Sequence, residues 1–358
     1  MTNNLNSYSQ SHTWNEILSE GTVWQQVLEE LSSSAVIDSI LAQGHKRREW
    51  LFVGCGTSYY LAESAAYSWT LLTGQPARAL PGSEVLLFPK VVQAEGADVQ
   101  AVVISRSGKT SEAVRAAAAL RRDLKVPTIG ITCAENSELQ KECDITIVLP
   151  SADERSMVMT RSFTSMLITL QYLAARQMKN AAFIADLWKM AEQFAPRITS
   201  IGEQVQEFVR THSFIDYVFL GQGACYGLAR EAALKVMEMS CSYSQFFHSL
   251  EFRHGPKAIV SPETCLTFFL SDASQEAEAE VLGEMKEMGG VTIAICNRAT
   301  DKLRWASDLL VEYSFAGNEL ALLAAFVVPC QLFGFFTGIQ KGLNPDSPKN
   351  LTRVVMLD

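Results

Sequence analysis

The feature that most constrains this chain is an internal repeat. Displacing the sequence by 167 positions sets Gly54-Cys55-Gly56 on Gly221-Gln222-Gly223, Tyr59 on Tyr226, Leu61-Ala62 on Leu228-Ala229 and Ala65-Ala66 on Ala232-Ala233. The pattern Gly-x-Gly-x2-Tyr-x-Leu-Ala-x2-Ala-Ala therefore occurs twice, each time after a short apolar run. A match of that length marks a tandem duplication of one supersecondary unit. Around the first copy, apolar runs at 50–53, 102–104, 128–131 and 145–148 alternate with helical stretches at 58–72 and 110–120. Around the second, runs at 217–220, 265–270, 292–295 and 309–311 alternate with stretches at 228–239 and 275–288. Short, uniformly apolar strands alternating with helices indicate a parallel sheet covered on both faces. The expected fold class is α/β, with two tandem three-layer α-β-α units. The expected organisation is a helical N-terminal segment 1–33, a first unit 34–180, a connecting helix 181–206 and a second unit 207–358. In the N-terminal segment, Ser11 or Thr13 is expected to cap a helix from Trp14, and a second helix carries Trp24, Val27 and Leu31.

Composition narrows the function classes. Of 358 residues, 48% are apolar and 19% charged, which supplies real cores and excludes a disordered chain. The net charge is −9 and no run of Lys/Arg reaches four, so the basic footprint of a nucleic-acid binder is absent. None of the eight cysteines forms a Cys-x2-Cys pair, and Cys55, Cys133, Cys265, Cys296 and Cys330 sit in or beside apolar runs. Reduced thiols and a cytoplasmic protein are expected. The polar start, Met1 to Gln10, has no basic region ahead of an apolar stretch, so no signal peptide is expected. The segment 320–336 is almost wholly apolar, but Glu319, Pro329 and Gln331 break it, and it reads as a buried helix rather than a membrane span. The five histidines (12, 45, 212, 248, 254) lack metal-ligand spacing, and no metal is expected.

Two places carry chemistry. Ser105-Arg106-Ser107-Gly108-Lys109-Thr110 follows a strand and opens a helix. Three hydroxyls and free backbone N–H groups at a helix N-terminus suit a phosphate, and Gly108 lets the backbone approach. Ordinary capping by Ser and Thr is the plainer alternative. Three hydroxyls in six residues, with a glycine and two cations, favour an anion. Ser58, after the Gly54/Gly56 turn, could add a fourth hydroxyl. Both loops would lie at the carboxyl ends of strands, where open α/β sheets bind ligands. The glycines do not complete a dinucleotide fingerprint, because Tyr59 stands at the third position, and no nicotinamide is expected. The second repeat has Ser271-Asp272-Ala273-Ser274 at the comparable loop, and its Asp would repel phosphate, so one phosphate site per chain is expected. The second repeat offers instead Lys235 and Glu238 on one helix face, then Glu251 and His254 before Gly255-Pro256. A carboxylate beside a cation can move a carbon-bound proton, and His254 can shuttle one near neutrality. Taken alone, Lys235 and Glu238 read as a surface ion pair three residues apart.

These residues lie in five ordered motifs: Gly54-Cys55-Gly56-Thr57-Ser58-Tyr59, Ser105-Arg106-Ser107-Gly108, Thr160-Arg161-Ser162-Phe163-Thr164, Glu231-Ala232-Ala233-Leu234-Lys235 and His254-Gly255-Pro256. Together they resemble the sugar isomerase (SIS) superfamily, whose units are flavodoxin-like. The layout is similar to the tandem isomerase half of glucosamine-6-phosphate synthases. The runs 154–166, 252–257 and 350–355 look most like the tagatose-6-phosphate ketose/aldose isomerase group, also described as amino-sugar-phosphate deaminases. The resemblance implies that Ser58, Ser105, Arg106, Ser107 and Thr110 hold a sugar phosphate, with Gly56, Thr57 and Arg161 as further substrate contacts. It implies that Glu238 moves a proton between C1 and C2, with Lys235 beside it. It implies that His254 opens the sugar ring in the neighbouring subunit's site, hence a homodimer with shared active sites. No cofactor is implied. Two departures stand out. Arg353 occupies the place of a lysine that acts on the open-chain sugar, and arginine stays protonated. The synthase's glutaminase residues are also missing from a chain that begins Met1-Thr2-Asn3. The expected function is therefore isomerisation of a hexose or hexosamine 6-phosphate, with release of ammonia from glucosamine or galactosamine 6-phosphate. Plain aldose–ketose isomerisation without nitrogen chemistry is one alternative, and a non-catalytic sugar-phosphate-binding regulator is the other.

Overall fold

The computed structural model describes residues 8–44, 49–92 and 98–357. The polar start up to Ser7 and His45 lie outside the described residues. The chain forms two compact units. One comprises Glu20–Glu154, Arg161–Glu192 and Thr352–Asp358; the other comprises the chain up to Ser19, Arg155–Thr160 and Gln193–Leu351. The first holds the first repeat and the second holds the second.

Each unit is built on a five-stranded parallel sheet. In the first unit the strands are β1 (Glu49–Gly54), β2 (Ala77–Pro81), β3 (Val99–Ile104), β4 (Thr128–Thr132) and β5 (Ile145–Val148), in the order β2-β1-β3-β4-β5. In the second they are β6 (Asp216–Gly221), β7 (Ser244–His248), β8 (Thr264–Leu270), β9 (Val291–Cys296) and β10 (Leu309–Glu312), in the order β7-β6-β8-β9-β10. The two sheets thus have one topology, and β1 and β6 begin and end 167 positions apart, as the repeat requires. Helices cover the sheets, giving the three-layer α/β architecture expected.

The eight apolar runs are all strands. The remaining two, β2 and β7, were not anticipated. Both are edge strands, partnered on one side only, and their residues are mostly half-buried. Such strands need no continuous apolar run. The repeated glycines have a common cause. A Cβ on Gly54 would lie 2.4 Å from the Ser58 carbonyl, and one on Gly221 would lie 2.5 Å from the Cys225 carbonyl oxygen. The helix that follows each strand folds back so closely that only glycine fits.

Of the two proposed caps at the N-terminus, Ser11 accepts from Trp14 N, while Thr13 lies inside helix His12–Leu18. The stretch read as a single connecting helix is two, Ala181–Phe194 and Ile198–Thr211, separated by a 3-10 turn containing Pro196. Proline lacks the N–H that would continue the helix. The apolar segment forms helix Leu323–Gln340, long and apolar enough to cross a membrane by length and composition, and nearly all of it is buried. It packs against helices Cys225–Ser240 and Ile198–Thr211. An all-round apolar surface is what a helix at the centre of a unit needs.

Candidate active site

In the first unit, the loop after β3 places the hydroxyl cluster. Ser105 and Arg106 are buried, Ser107 and Thr110 half-buried, and Lys109 exposed. The Gly108 N–H donates to the Ser105 carbonyl (3.1 Å), and the Lys109 N–H donates to Ser107 Oγ (3.2 Å). Ser105 Oγ lies 3.5 Å from Thr110 Oγ1. The outer side of the loop is held by neighbouring strands. The Arg106 carbonyl accepts from Thr132 Oγ1 and from the Cys133 N–H, both at 3.0 Å, and the Gly108 carbonyl accepts from the Leu139 N–H at 2.9 Å. Gly108 has φ +59°, and a Cβ there would meet the Ser137 Cβ at 2.4 Å. The turn into helix Ser111–Ala118 therefore requires glycine. Among the described residues, the backbone N–H groups of Ser107 and Thr110 have no acceptor within the protein. Donors left over beside a helix N-terminus are what an anion uses.

Ser58 and Thr57 are buried at the start of helix Thr57–Thr73, which Gly56 enters at φ +55°. β1 and β3 pair directly and in parallel, Phe52 opposite Val102, so the two loops leave adjacent strands at the carboxyl end of the sheet. The arginines are placed differently from one another. Arg106 turns inward to a buried ion pair with Glu154 at 3.2 Å, and its Nη2 donates to the Arg353 carbonyl at 3.3 Å. Arg161 donates from Nε to the Asp153 carbonyl at 3.1 Å. Arg353 pairs with Asp153 at 2.8 Å and donates to the Glu154 carbonyl. The C-terminal segment thus reaches the loop 105–110. It continues past it: the Ser111 N–H donates to the Val355 carbonyl (3.2 Å), the Leu357 N–H to Ser111 Oγ (2.9 Å), and Arg115 to the Leu357 carbonyl (3.1 Å). Sequence reasoning missed Glu154, Asp153 and this docking. No local pattern announces a contact between positions more than 240 apart.

In the second unit, helix Cys225–Ser240 carries Lys235 and Glu238. The two do pair, but not as the surface pair that their spacing alone would suggest. Lys235 is fully buried, with Nζ 2.5 Å from Glu238 and 3.1 Å from Glu231. Glu231 is also fully buried, whereas Glu238 keeps 17% of its side chain exposed. The reason is the partner helix Leu323–Gln340, which covers this face. Burial alone would depress the lysine, but the carboxylates of Glu231 and Glu238 outweigh it and hold its pKa above the ordinary value. Glu231, four residues before Lys235 and so on the same helix face, completes this triad.

His254 follows a 3-10 turn, Glu251–Arg253, and its side chain is exposed. The two residues before it are anchored, Phe252 by burial and Arg253 by an ion pair with Glu284 at 2.6 Å. His248, at the end of β7, stacks on Tyr226 with ring centroids 3.8 Å apart, and Nδ1 lies 3.1 Å from Gln222 Oε1. Burial lowers its pKa. In the loop after β8, the protein's own carboxylates take the available donors. The Asp272 N–H bonds Glu319, and Glu278 accepts from Ser249 (2.5 Å) and Ser274. Burial raises the pKa of both Glu278 and Glu319.

Two units with parallel five-stranded sheets of one topology, one carrying a hydroxyl-rich loop after β3 and the other a buried Lys–Glu cluster, define a duplicated three-layer α/β protein. The sequence matches the SIS domain over residues 45–176 and 216–336, and the chain belongs to that family. It is 27% identical over 347 residues to the glutamine–fructose-6-phosphate aminotransferase (isomerizing) of Pyrobaculum aerophilum, a match covering 92% of this chain and 54% of that one. The corresponding Francisella tularensis protein is 26% identical over 329 residues, covering 87% of this chain and 52% of that one. The chain spans about half the length of the curated relatives it matches. Among solved structures, glucosamine-6-phosphate deaminase from Thermotoga maritima superposes with TM-score 0.78 at 28% identity, covering 97% of this chain and all of that one. Tagatose-6-phosphate ketose/aldose isomerase from Escherichia coli superposes with TM-score 0.84 at 22% identity, covering 98% and 97%, which shows the shared fold. The fold is that of the phosphosugar isomerases.

Proposed function

We propose that this protein is an aldose–ketose isomerase of hexosamine 6-phosphates whose reaction releases ammonia. The observation that carries the reading is the buried Lys235, held between Glu231 and a Glu238 that retains partial exposure. A fixed cation beside a reachable carboxylate is an arrangement for proton transfer at carbon. In this proposal Ser58, from the turn after β1, and Ser105, Ser107 and Thr110, from the loop that also contains Arg106, hold the phosphate. Gly56, Thr57, Arg161 and Arg353 contribute to the sugar's surroundings. His254 moves the ring-opening proton. Glu238 then takes the proton from C2 of the open-chain aldose and returns one at C1. An amine at C2 becomes a ketimine by this shift, and addition of water at C2 expels ammonia and leaves the ketose phosphate.

The free state of all eight cysteines supports a reducing, cytoplasmic setting. The exposure of His254 on a well-anchored loop supports its use by a second copy in a homodimer. The 28% identity to a glucosamine-6-phosphate deaminase over nearly the whole chain favours deamination over plain isomerisation. The test is an ammonia-release assay on glucosamine and galactosamine 6-phosphates, run beside the corresponding nitrogen-free hexose phosphates. Ammonia from a hexosamine phosphate, abolished in Glu238→Gln, is the expected result. Aldose–ketose interconversion with no ammonia would replace deamination by plain isomerisation. Ligand binding with no turnover would point to a regulator.

A further inference from the structure

We infer that Glu154 is the positioning residue of the phosphate loop, and that Arg106 serves as the loop's inward pin rather than as a ligand to the phosphate. The inference rests on the phosphate-loop reading proposed above and assigns two residues within it. Arg106 stands between the two loop serines, yet 5% of its side chain is exposed and none of Glu154's. The Glu154 carboxylate is fully engaged: Arg106 Nη1 lies 3.2 Å from Oε2, Ser162 N–H lies 3.3 Å from Oε1, and Ser162 Oγ donates at 2.5 Å. The other end of the Arg106 residue is fixed as well, its carbonyl accepting from Thr132 Oγ1 and the Cys133 N–H at 3.0 Å. A side chain and a carbonyl both directed into the unit leave the residue no freedom to turn its charge outward. The guanidinium is therefore a mechanical part of the loop, and its charge is compensated within the protein. The flanking hydroxyls and the N–H groups of Ser107 and Thr110 are what remain for an anion. Ser162 belongs to the helix that begins at Arg161, so Glu154 ties the loop to that helix start.

The distinguishing property is non-additivity. Removing one member of a buried pair strands the other charge, whereas removing both leaves two neutral groups. Four full-length proteins decide the matter: wild type, Arg106→Gln, Glu154→Gln and the double variant. Each is titrated with inorganic phosphate and with glucosamine 6-phosphate, binding being read from the rise in melting temperature, and turnover of the sugar is followed across pH. Each single substitution is expected to weaken binding of both probes by roughly tenfold, and the double variant to return within about threefold of wild type. KM carries the loss while the midpoints of the kcat–pH profile stay in place, a split that general loss of structure does not produce. Should either single variant fail to fold, Arg106→Lys and Glu154→Asp replace them, with the same ordering expected. The inference is overturned if Arg106→Gln and the double variant are equally weak while Glu154→Gln binds like wild type, since Arg106 then touches the phosphate itself. It is also overturned if all four bind alike. A wild type that binds neither probe removes the phosphate-loop reading itself, an outcome separate from the other two.

Discussion

Replacing Lys235 by Met removes the cation from the buried triad and leaves a side chain of similar length in its place. Glu231 and Lys235 are fully buried, and the Nζ–O distances are 3.1 Å to Glu231 and 2.5 Å to Glu238. At an effective dielectric constant of about 20, the 3.1 Å contact alone carries roughly 5 kcal/mol of Coulomb attraction. The cost of burying the charges offsets much of this, and breaking such a pair from one side loses about 3–5 kcal/mol. Folding of a domain yields only about 5–15 kcal/mol, so the variant keeps its fold with a reduced margin and melts on the order of 10 °C lower. The assay is denaturant unfolding of Lys235→Met beside Lys235→Met/Glu231→Gln. The second protein should regain at least about 1 kcal/mol, because its buried carboxylate is gone. The pH dependence has a definite sign. The lysine's pKa is raised in the folded state, so its contribution is complete below the unfolded value near 10.4 and is lost as pH rises through the folded value. Wild type should therefore lose stability at alkaline pH more steeply than Lys235→Met. A Lys235→Met protein within about 0.5 kcal/mol of wild type would contradict the reasoning, because that is the behaviour of an exposed pair.

Gly108→Ala places a Cβ 2.4 Å from the Ser137 Cβ at a residue with φ +59° and should cost about 2 kcal/mol or more, together with phosphate binding; an unchanged denaturation midpoint speaks against the loop geometry. Asp346 accepts from Ser11 Oγ and from the N–H groups of His12 and Thr13 at 2.7–3.0 Å, and these bonds outweigh the effect of its burial and hold its pKa below the ordinary value. Asp346→Asn should cost about 1–2 kcal/mol at neutral pH, with the difference from wild type present above about pH 4 and vanishing as pH falls through the depressed folded value; equal stability at pH 7 would contradict this. Burial, with Glu112 second, pushes the Cys55 thiol up to about 11, and burial first pushes Cys143 to about 12, while Cys241 is the exposed cysteine. A disulfide reagent at pH 8 should therefore find one fast thiol in the native chain and eight after unfolding, and two or more fast thiols would refute that burial.

The parts of this molecule legible in its sequence are those set by local pattern. The apolar runs declared eight strands: six are interior to their sheets, where burial on both faces needs continuous apolar residues, and the edge strands β5 and β10 carry short apolar runs as well. The repeated Gly-x-Gly turn declared the duplication because each following helix leaves no room for a Cβ. β2 and β7 stayed hidden, since polar residues and a proline break up Ala77-Arg78-Ala79-Leu80-Pro81 and Ser244-Gln245-Phe246-Phe247-His248, which half-buried edge positions tolerate. In the candidate site the loop 105–110 was readable from its hydroxyls and glycine. The environment of Lys235 was not, because a spacing of three residues is the same on an exposed helix face and on one covered by Leu323–Gln340. Glu231 at the preceding turn, among alanines and leucine, was the available signal. The direction of Arg106 depended on Glu154, 48 positions away, and the docking of Val355 and Leu357 on Ser111 on a contact of still longer range.

The most direct measurement is a crystal structure of the protein soaked with glucosamine 6-phosphate. The account predicts the phosphate within hydrogen-bond distance of the hydroxyls of Ser105, Ser107 and Thr110, with C2 of the sugar in reach of the Glu238 carboxylate. A phosphate bound away from residues 105–110, or a Glu238 with no access to the sugar's C1–C2 bond, would contradict it.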